Sequence, residues 1–330
     1  MSSTQIFGLD LVGVFRMKWA VAIFSSRETL ETLSSSVAAA LKGTGATETF
    51  IDIMVNGNPK LAHSIGHYVE TLPALPGAHA IVRAWCISLA DAGHAWNQYV
   101  HSVWPGSDIA YFLTGYTKVM PDALTLISEG LCGTPAAWAA AGVPTVGRSS
   151  RTTRESMLRA GGLHGGFYAV RGTTLTKMRA IDFRLPLGIY RADAVIGAAI
   201  YFGLDPARNR WDLERILVEP RATWTFRALR WWHPDDIRIQ LRRLMRQAQG
   251  ALENQAIRTR FAIERRSAEG LPRTSAELVL SWAKANPTMA RRVLLRHPLS
   301  FFALRRLRRL RDFSRALAPP KLISMTSIEG

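Results

Sequence analysis

The chain has 330 residues, 48% of them hydrophobic, with 42 Lys and Arg against 25 Asp and Glu and a formal net charge of +17. This composition excludes a disordered acidic tail, a collagen and a disulfide-stapled miniprotein, and it can bury a sizeable core in one large or two moderate domains. The basic excess calls for an anionic partner: nucleic acid, an anionic membrane surface or a phosphate-bearing small molecule.

At the amino terminus Asp10 interrupts the apolar stretch and no basic residue precedes it, unlike a secretory signal. Trp19 to Phe24 is a continuous apolar run that reads as a buried strand. A Ser25-Ser26 turn follows, and then a helix carrying Leu30, Leu33, Val37 and Leu41 at helical spacing. The unit repeats. Phe50 to Val55 leads through Asn56-Gly57-Asn58-Pro59 into a segment ending near Glu70, and Ala78 to Trp85 precedes a helix around Ala92 to Val103. Ile109 to Leu113 then runs into a turn and another helix. Strands and helices alternating in this way predict an α/β fold with a largely parallel, doubly wound sheet, whose ligands bind at the carboxyl ends of the strands. Ser25-Ser26, Val55 to Asn58 and Thr114 to Thr117 occupy those ends.

Cys86 and Cys132 stand alone, 46 positions apart, and read as two buried free thiols of a reducing cytoplasm, with no disulfide framework or zinc site. The longest charge-free run, Leu131 to Gly147, is broken by Gly133, Pro135, Gly142 and Pro144, so no membrane-spanning helix is expected. Arg148 to Arg159 reads as a mobile arginine-rich loop, and Gly161 to Arg171 as a glycine-dense segment where backbone approaches another group closely. From Asp235 onward the chain reads as helix. Residues 201–330 hold 26 basic and 12 acidic side chains, against 16 and 13 in residues 1–200, so the basic character is concentrated in the C-terminal part. Met289 to Leu317 contains nine arginines and one acid, with Leu304, Leu307, Leu310 and Leu317 as an apolar stripe. Two alternatives stand for that segment: a helix lying on an anionic bilayer, or one packed on the main domain by its Leu/Phe face.

The order of these segments resembles the family 2 glycosyltransferases, whose GT-A fold joins a Rossmann-like nucleotide-binding half to an acceptor-binding half. The similarity spans roughly Trp19 to Gly250 and rests on several weak motifs in the right order. Val55-Asn56-Gly57-Asn58-Pro59 resembles the family's V-D-N-G-S turn, with Val55 in the acidic position. Gly93-His94-Ala95-Trp96-Asn97 resembles its G-x-A-x-N helix start. Phe112 to Thr117 followed by Met120-Pro121-Asp122-Ala123-Leu124 resembles the strand that ends in D-x-D before a P-x-A-L helix, with Thr114 and Tyr116 where the aspartates would stand. Gly161-Gly162 and Gly165-Gly166-Phe167 resemble the acceptor-side glycine segment. Ile189 to Phe202 resembles the E-D helix whose aspartate is the general base of inverting members, which places that role on Asp193. A capping role for Asp193 on the following helix is the alternative. Trp231-Trp232-His233 and Gln240 to Arg246 fall where processive members carry Q-x-x-R-W, a partial match with no Trp after the arginines.

The resemblance implies a nucleotide-sugar donor held by Ser25, Ser26, Asn56, Asn58, Gly93, Asn97, Thr114, Tyr116 and Lys118, and an acceptor side containing Gly165, Gly166 and His233. It divides the chain into a nucleotide-sugar-binding half (1–130), an acceptor-binding half (131–234) and an Arg-rich helical extension (235–330). The expected function is inverting transfer to a glycan or lipid-linked acceptor in bacterial surface polysaccharide synthesis. The expected setting is the cytoplasm, with peripheral contact of residues 289–317 at the inner face of the membrane. The family's Mg or Mn lacks its D-x-D, so no metal ligand is assigned; Lys118, Arg148, Arg151 and Arg154 are candidate cations to replace it. A catalytically degenerate GT-A scaffold is the alternative function. A nucleic-acid binder finds no RNP, helix-turn-helix or zinc-finger pattern in support.

Overall fold

The computed structural model describes residues 17–146, 150–226 and 234–329; the expectations attached to Arg148, Trp231, Trp232 and His233 lie outside them. In chain order, β1 (Trp19–Ser25) leads to α1 (Leu30–Gly43), β2 (Thr49–Asn56) to α2 (Pro59–Glu70), β3 (His79–Ile87) to α3 (Ala92–Gln98), and β4 (Ile109–Thr114) through the two-residue β5 (Lys118–Val119) to α4 (Ala123–Gly133). Local chemistry sets the helix starts. Thr29 caps α1 by accepting the Thr32 N–H, and Asn58 caps α2 by accepting from Leu61, with Pro59 in the first helical position. Strands β3, β2, β1 and β4 pair side by side in parallel. Their side chains are buried on both faces by helices, so β1 and β2 are continuous apolar runs rather than alternating ones.

One polar group breaks that run. Asp52 on β2 is fully buried opposite Arg83 on β3. It accepts Arg83 Nε at 2.7 Å, Nη2 at 2.9 Å and Trp85 Nε1 at 2.8 Å. Burial pushes the Asp52 carboxyl up, and the guanidinium and indole partly offset this.

The second part of the chain contributes β6 (Ala139–Pro144), α5 (Ser150–Ala160), β7 (Phe167–Arg171), α6 (Gly172–Ala180), α7 (Ala192–Tyr201) and β8 (Ile216–Thr225). β7 pairs antiparallel with β4, and the sheet continues outward through β6, β8 and β5. The segment expected to be a mobile arginine-rich loop is the helix α5. It buries only Met157 and carries an exposed i,i+4 pair from Arg151 to Glu155 at 2.8 Å, so it lacks the apolar stripe that marks a helix in sequence. β6 is mostly Ala, Gly and Pro, with Val143 as its one β-branched residue. Gly142 is required there because a Cβ would collide with the Phe167 ring and the Ala222 carbonyl.

The C-terminal part is mainly helical, as expected: α8 (Pro234–Arg258), α9 (Ser275–Ala285), α10 (Pro287–Arg296) and α11 (Leu299–Leu307). It ends differently. β9 (Lys321–Glu329) returns to the opposite edge of the sheet and pairs antiparallel with β3, giving nine strands in the order β5-β8-β6-β7-β4-β1-β2-β3-β9. The basic segment is therefore held at both ends. The expected leucine stripe is divided: Leu304 is buried, whereas α11 stops at Leu307 and leaves Leu310 and Leu317 fully or largely exposed. Cys86 is half-buried and Cys132 exposed, so neither is the fully buried thiol expected. Among the described residues, no helix is long and apolar enough to cross a membrane.

Candidate active site

The carboxyl ends of β1, β2 and β4 meet at one edge. The chain crosses to β2 on one side of β1 and to β4 on the other, so Ser25 and Thr114 flank a topological switch point. Hydrogen bonds tie these ends together. Asn56 Nδ2 donates to the Ser25 carbonyl at 2.9 Å and Asn58 Nδ2 to that of Ser26 at 3.0 Å, while Gly115 N–H donates to Phe24 at 2.7 Å. Gly57 takes φ +67°, and a Cβ there would run into the Ala90 backbone, so only glycine makes this turn. Glu28, which belongs to no motif, organises the β1 loop: one carboxylate oxygen accepts Ser25 Oγ, Ser26 N–H and Arg27 N–H at 2.7–3.0 Å.

Ser25, Ser26, Asn56, Asn58, Thr114 and Tyr116 thus gather around one mouth. Gly93 and Asn97 lie a layer behind it. The Asn97 side chain is occupied by the Leu185 backbone, donating to its carbonyl at 2.9 Å and accepting its N–H at 2.8 Å. A Cβ on Gly93 would press on Ile189 and the Pro186 carbonyl. Asp91 caps α3 and accepts the Gly188 N–H at 2.7 Å. All three fasten the 185–189 segment against α3, so Gly93 and Asn97 position this segment.

On the facing side, Thr114 N–H donates to the Gly166 carbonyl at 3.4 Å, which brings the glycine segment to the end of β4. Gly166 lies flat under the Trp224 indole, leaving no room for a Cβ, whereas Gly165 faces open space. His164, another residue the sequence reading did not select, accepts the Gly166 N–H on Nδ1 at 3.0 Å. Burial lowers its pKa below the usual histidine range, with Asp193 opposing and Arg191 and Arg243 reinforcing the shift. The neutral ring that accepts on Nδ1 carries its proton on Nε2. Asp193 sits in the first turn of α7 and makes no capping bond. Its carboxylate instead pairs with Arg191, Nε to Oδ1 at 3.1 Å, and keeps 16% side-chain exposure, so an incoming hydroxyl can reach it.

The Tyr190-Arg191 backbone that presents Asp193 is itself anchored. Glu253 of α8, fully buried, accepts both backbone N–H groups at 2.9–3.2 Å, together with Ser275 Oγ and Gln249 Nε2 at 2.7 Å each. Burial raises the Glu253 pKa against these four donors. Beyond Asp193, α7 and α8 enclose an apolar groove of about 450 Å³ lined by Ala194, Ala198, Phe202, Trp211, Ile257 and Phe261.

The residues present do not fit a divalent cation at the D-x-D position. Thr114 Oγ1 is hydrogen-bonded to Thr117 Oγ1 at 2.7 Å, and the nearby Glu28 carboxylate is committed to its own loop. Among the described residues no three His, Cys, Asp or Glu side chains cluster to hold a metal. Of the cations expected to compensate, Lys118 is exposed on the short edge strand, Arg151 pairs with Glu155, and Arg154 donates to the Pro220 carbonyl at 3.2 Å.

No protein-family profile matches the sequence, and no curated protein sequence matches it. Solved structures do match the fold. The mannosyltransferase PcManGT from Pyrobaculum calidifontis, solved with GDP-Man and Mn2+, aligns over 92% of this chain and 78% of its own, with a TM-score of 0.52 at 14% identity. TarS 1–349 from S. aureus aligns over 74% of this chain and 73% of its own, with a TM-score of 0.46 at 13% identity. The first of these alignments shows that the chain has the GT-A fold, the α/β class expected from the order of its segments.

Proposed function

We propose that the chain is an inverting glycosyltransferase that moves a sugar from a nucleotide-sugar donor to a glycan or lipid-linked acceptor in surface polysaccharide synthesis. The observation that carries this reading is the placement of Asp193, reachable by solvent, across from the Ser25–Thr114 switch point of a GT-A sheet. In that role residues 1–130 hold the donor, residues 131–234 present the acceptor, and residues 235–330 cover the site. Asp193 removes the proton of the acceptor hydroxyl as its oxygen bonds to the anomeric carbon. The bond from that carbon to the diphosphate breaks on the opposite face, and the nucleoside diphosphate leaves with the electron pair. Arg191 holds the carboxylate in place, and Glu253 fixes the backbone from which both project.

A lipid-linked acceptor is supported by the apolar groove beside Asp193 and by the basic C-terminal face. On that face Leu295, Phe301, Phe302 and Leu310 are exposed among arginines, the mixture of an anionic membrane surface contact at the cytoplasmic side. The test is transfer or hydrolysis of UDP-, GDP- and dTDP-sugars by the full chain in EDTA. Turnover of one donor supports the enzyme, whereas donor binding without turnover favours the degenerate scaffold, and no binding at millimolar donor sinks both. Separately, the protein is expected to co-sediment with phosphatidylglycerol vesicles and to lose most of that binding in the Phe301→Ser/Phe302→Ser variant. Unchanged sedimentation would remove the membrane role.

A further inference from the structure

Helix α8 lies along the segment that carries Asp193, and its register is fixed by contacts. Glu253 holds the Tyr190 and Arg191 N–H groups, Gln249 Nε2 donates to the Gly188 carbonyl at 3.0 Å, and Gly250 packs against the Tyr190 and Arg191 side chains. Positions 253, 249, 246 and 242 repeat at steps of three and four, so one stripe of the helix runs from this anchor to Arg246 and Arg242. Arg243 beside them lies within electrostatic reach of both Tyr116 at the end of β4 and His164 opposite. α11 is docked on α8 through Ser300 Oγ, which donates to the Ala248 carbonyl at 3.0 Å, and Arg306 in its last turn lies within electrostatic reach of Arg27. Arg27, in the loop after β1, faces Arg246, Arg242 and Arg306; burial first, then these neighbours, lower its pKa.

Among the described residues, none of these five guanidiniums is within ion-pair distance of a carboxylate. Glu28 opposes the repulsion at Arg27, but its carboxylate is bound to backbone N–H groups and a serine. Like charges drawn from three segments, with no carboxylate of the described residues in ion-pair distance, are unfavourable until an anion sits among them. Guanidiniums bind phosphate oxygens two at a time, a geometry that a diphosphate satisfies.

We propose that Arg27, Arg242, Arg243, Arg246 and Arg306 form a diphosphate site that takes the place of the absent divalent-cation site beside Ser25 and Thr114. The proposal rests on the transferase reading for its role. As the bond between the anomeric carbon and the diphosphate oxygen breaks, the electron pair stays on the diphosphate, and the guanidiniums neutralise that charge without exchanging a proton. A diphosphate could also arrive on a lipid carrier; the nucleotide is favoured because the arginines lie at the switch point of the sheet.

The test measures binding of UDP, GDP, dTDP and inorganic pyrophosphate to the full chain in EDTA, then with Mn or Mg. One nucleoside diphosphate is expected to bind in EDTA, with no gain from metal and with affinity falling steeply as salt rises. Arg242→Gln and Arg246→Gln are each expected to weaken it about tenfold or more, Arg246→Lys by less, while the parent nucleoside binds equally to all variants. Unaltered melting temperatures exclude unfolding as the cause, since both side chains are exposed. Metal-dependent binding, variants that bind like wild type, or arginine-dependent binding of phosphatidylglycerol vesicles in place of any nucleotide would each overturn the proposal. Arginine-dependent diphosphate binding without sugar transfer keeps this site and rejects the transferase; metal-dependent transfer indifferent to the arginines does the reverse.

Discussion

Asp193→Asn is expected to lower the rate of sugar transfer by about 10²- to 10⁴-fold, the range that a positioned general base contributes. Asparagine keeps the shape of the side chain and can still accept from Arg191, so the α7 entry and nucleoside diphosphate affinity should be unchanged. A loss confined to kcat is the signature of a group that acts on the reacting hydroxyl. Wild-type turnover in this variant would transfer the role elsewhere, and His164 is the nearest candidate. The two are separable by pH. Burial holds His164 below its usual range, so the stability it contributes is complete above about 6.5 and is lost as pH falls toward the lowered value. Protonation at Nδ1 would also break the bond from Gly166 N–H that shapes the glycine loop. Acid sensitivity in thermal melts that disappears in His164→Asn would identify that residue's share.

The largest stability effect is expected far from the chemistry. Arg83→Ala leaves the Asp52 carboxylate fully buried with only the Trp85 indole to satisfy it, and removal of one partner of a buried pair costs about 3–5 kcal/mol. The sign of its pH dependence follows. A buried carboxyl whose pKa is raised adds stability below its ordinary value and loses it as pH rises through the raised one. The deficit of Arg83→Ala in urea unfolding should therefore narrow as pH falls. Replacing both partners by apolar residues, Asp52→Leu with Arg83→Met, should recover most of the loss. A deficit below about 1 kcal/mol at neutral pH would mean that the pair is solvated rather than buried.

The parts of the fold that were legible in sequence are those where burial alone chose the residues. β1, β2 and β4 are apolar on both faces and stand out against the turns that follow, and Asn58-Pro59 marks the start of α2 through capping chemistry. β6 was hidden because it is built of alanines and of Gly142, where the Phe167 ring and the Ala222 carbonyl leave no room for a Cβ. β8 was hidden by Pro220 and the register shift opposite Gly142. α5 gave no periodicity because almost nothing of it is buried. In the candidate site, Asp193, Ser25 and Asn56 stood out by their order along the chain. Arg27, Arg242, Arg246 and Arg306 did not, because the β1 loop and two helices more than two hundred residues further along the chain converge only after folding. Their arginines look like solvated surface charge when read in line.

β9 gives the molecule a folding constraint as well as a sheet edge. Its partner residues lie far apart in the chain, with Ala80 opposite Ile328. Pairings of such long sequence separation close late, because the loop-closure entropy must be met before they return any contact. During synthesis β3 is therefore an open edge, rich in apolar residues and able to recruit other chains, until residues 321–329 emerge. The same delay means that the arginine-bearing helices are fastened over the site only in the last stage of maturation, so a nascent chain has a formed sheet before it has a site that can hold an anion.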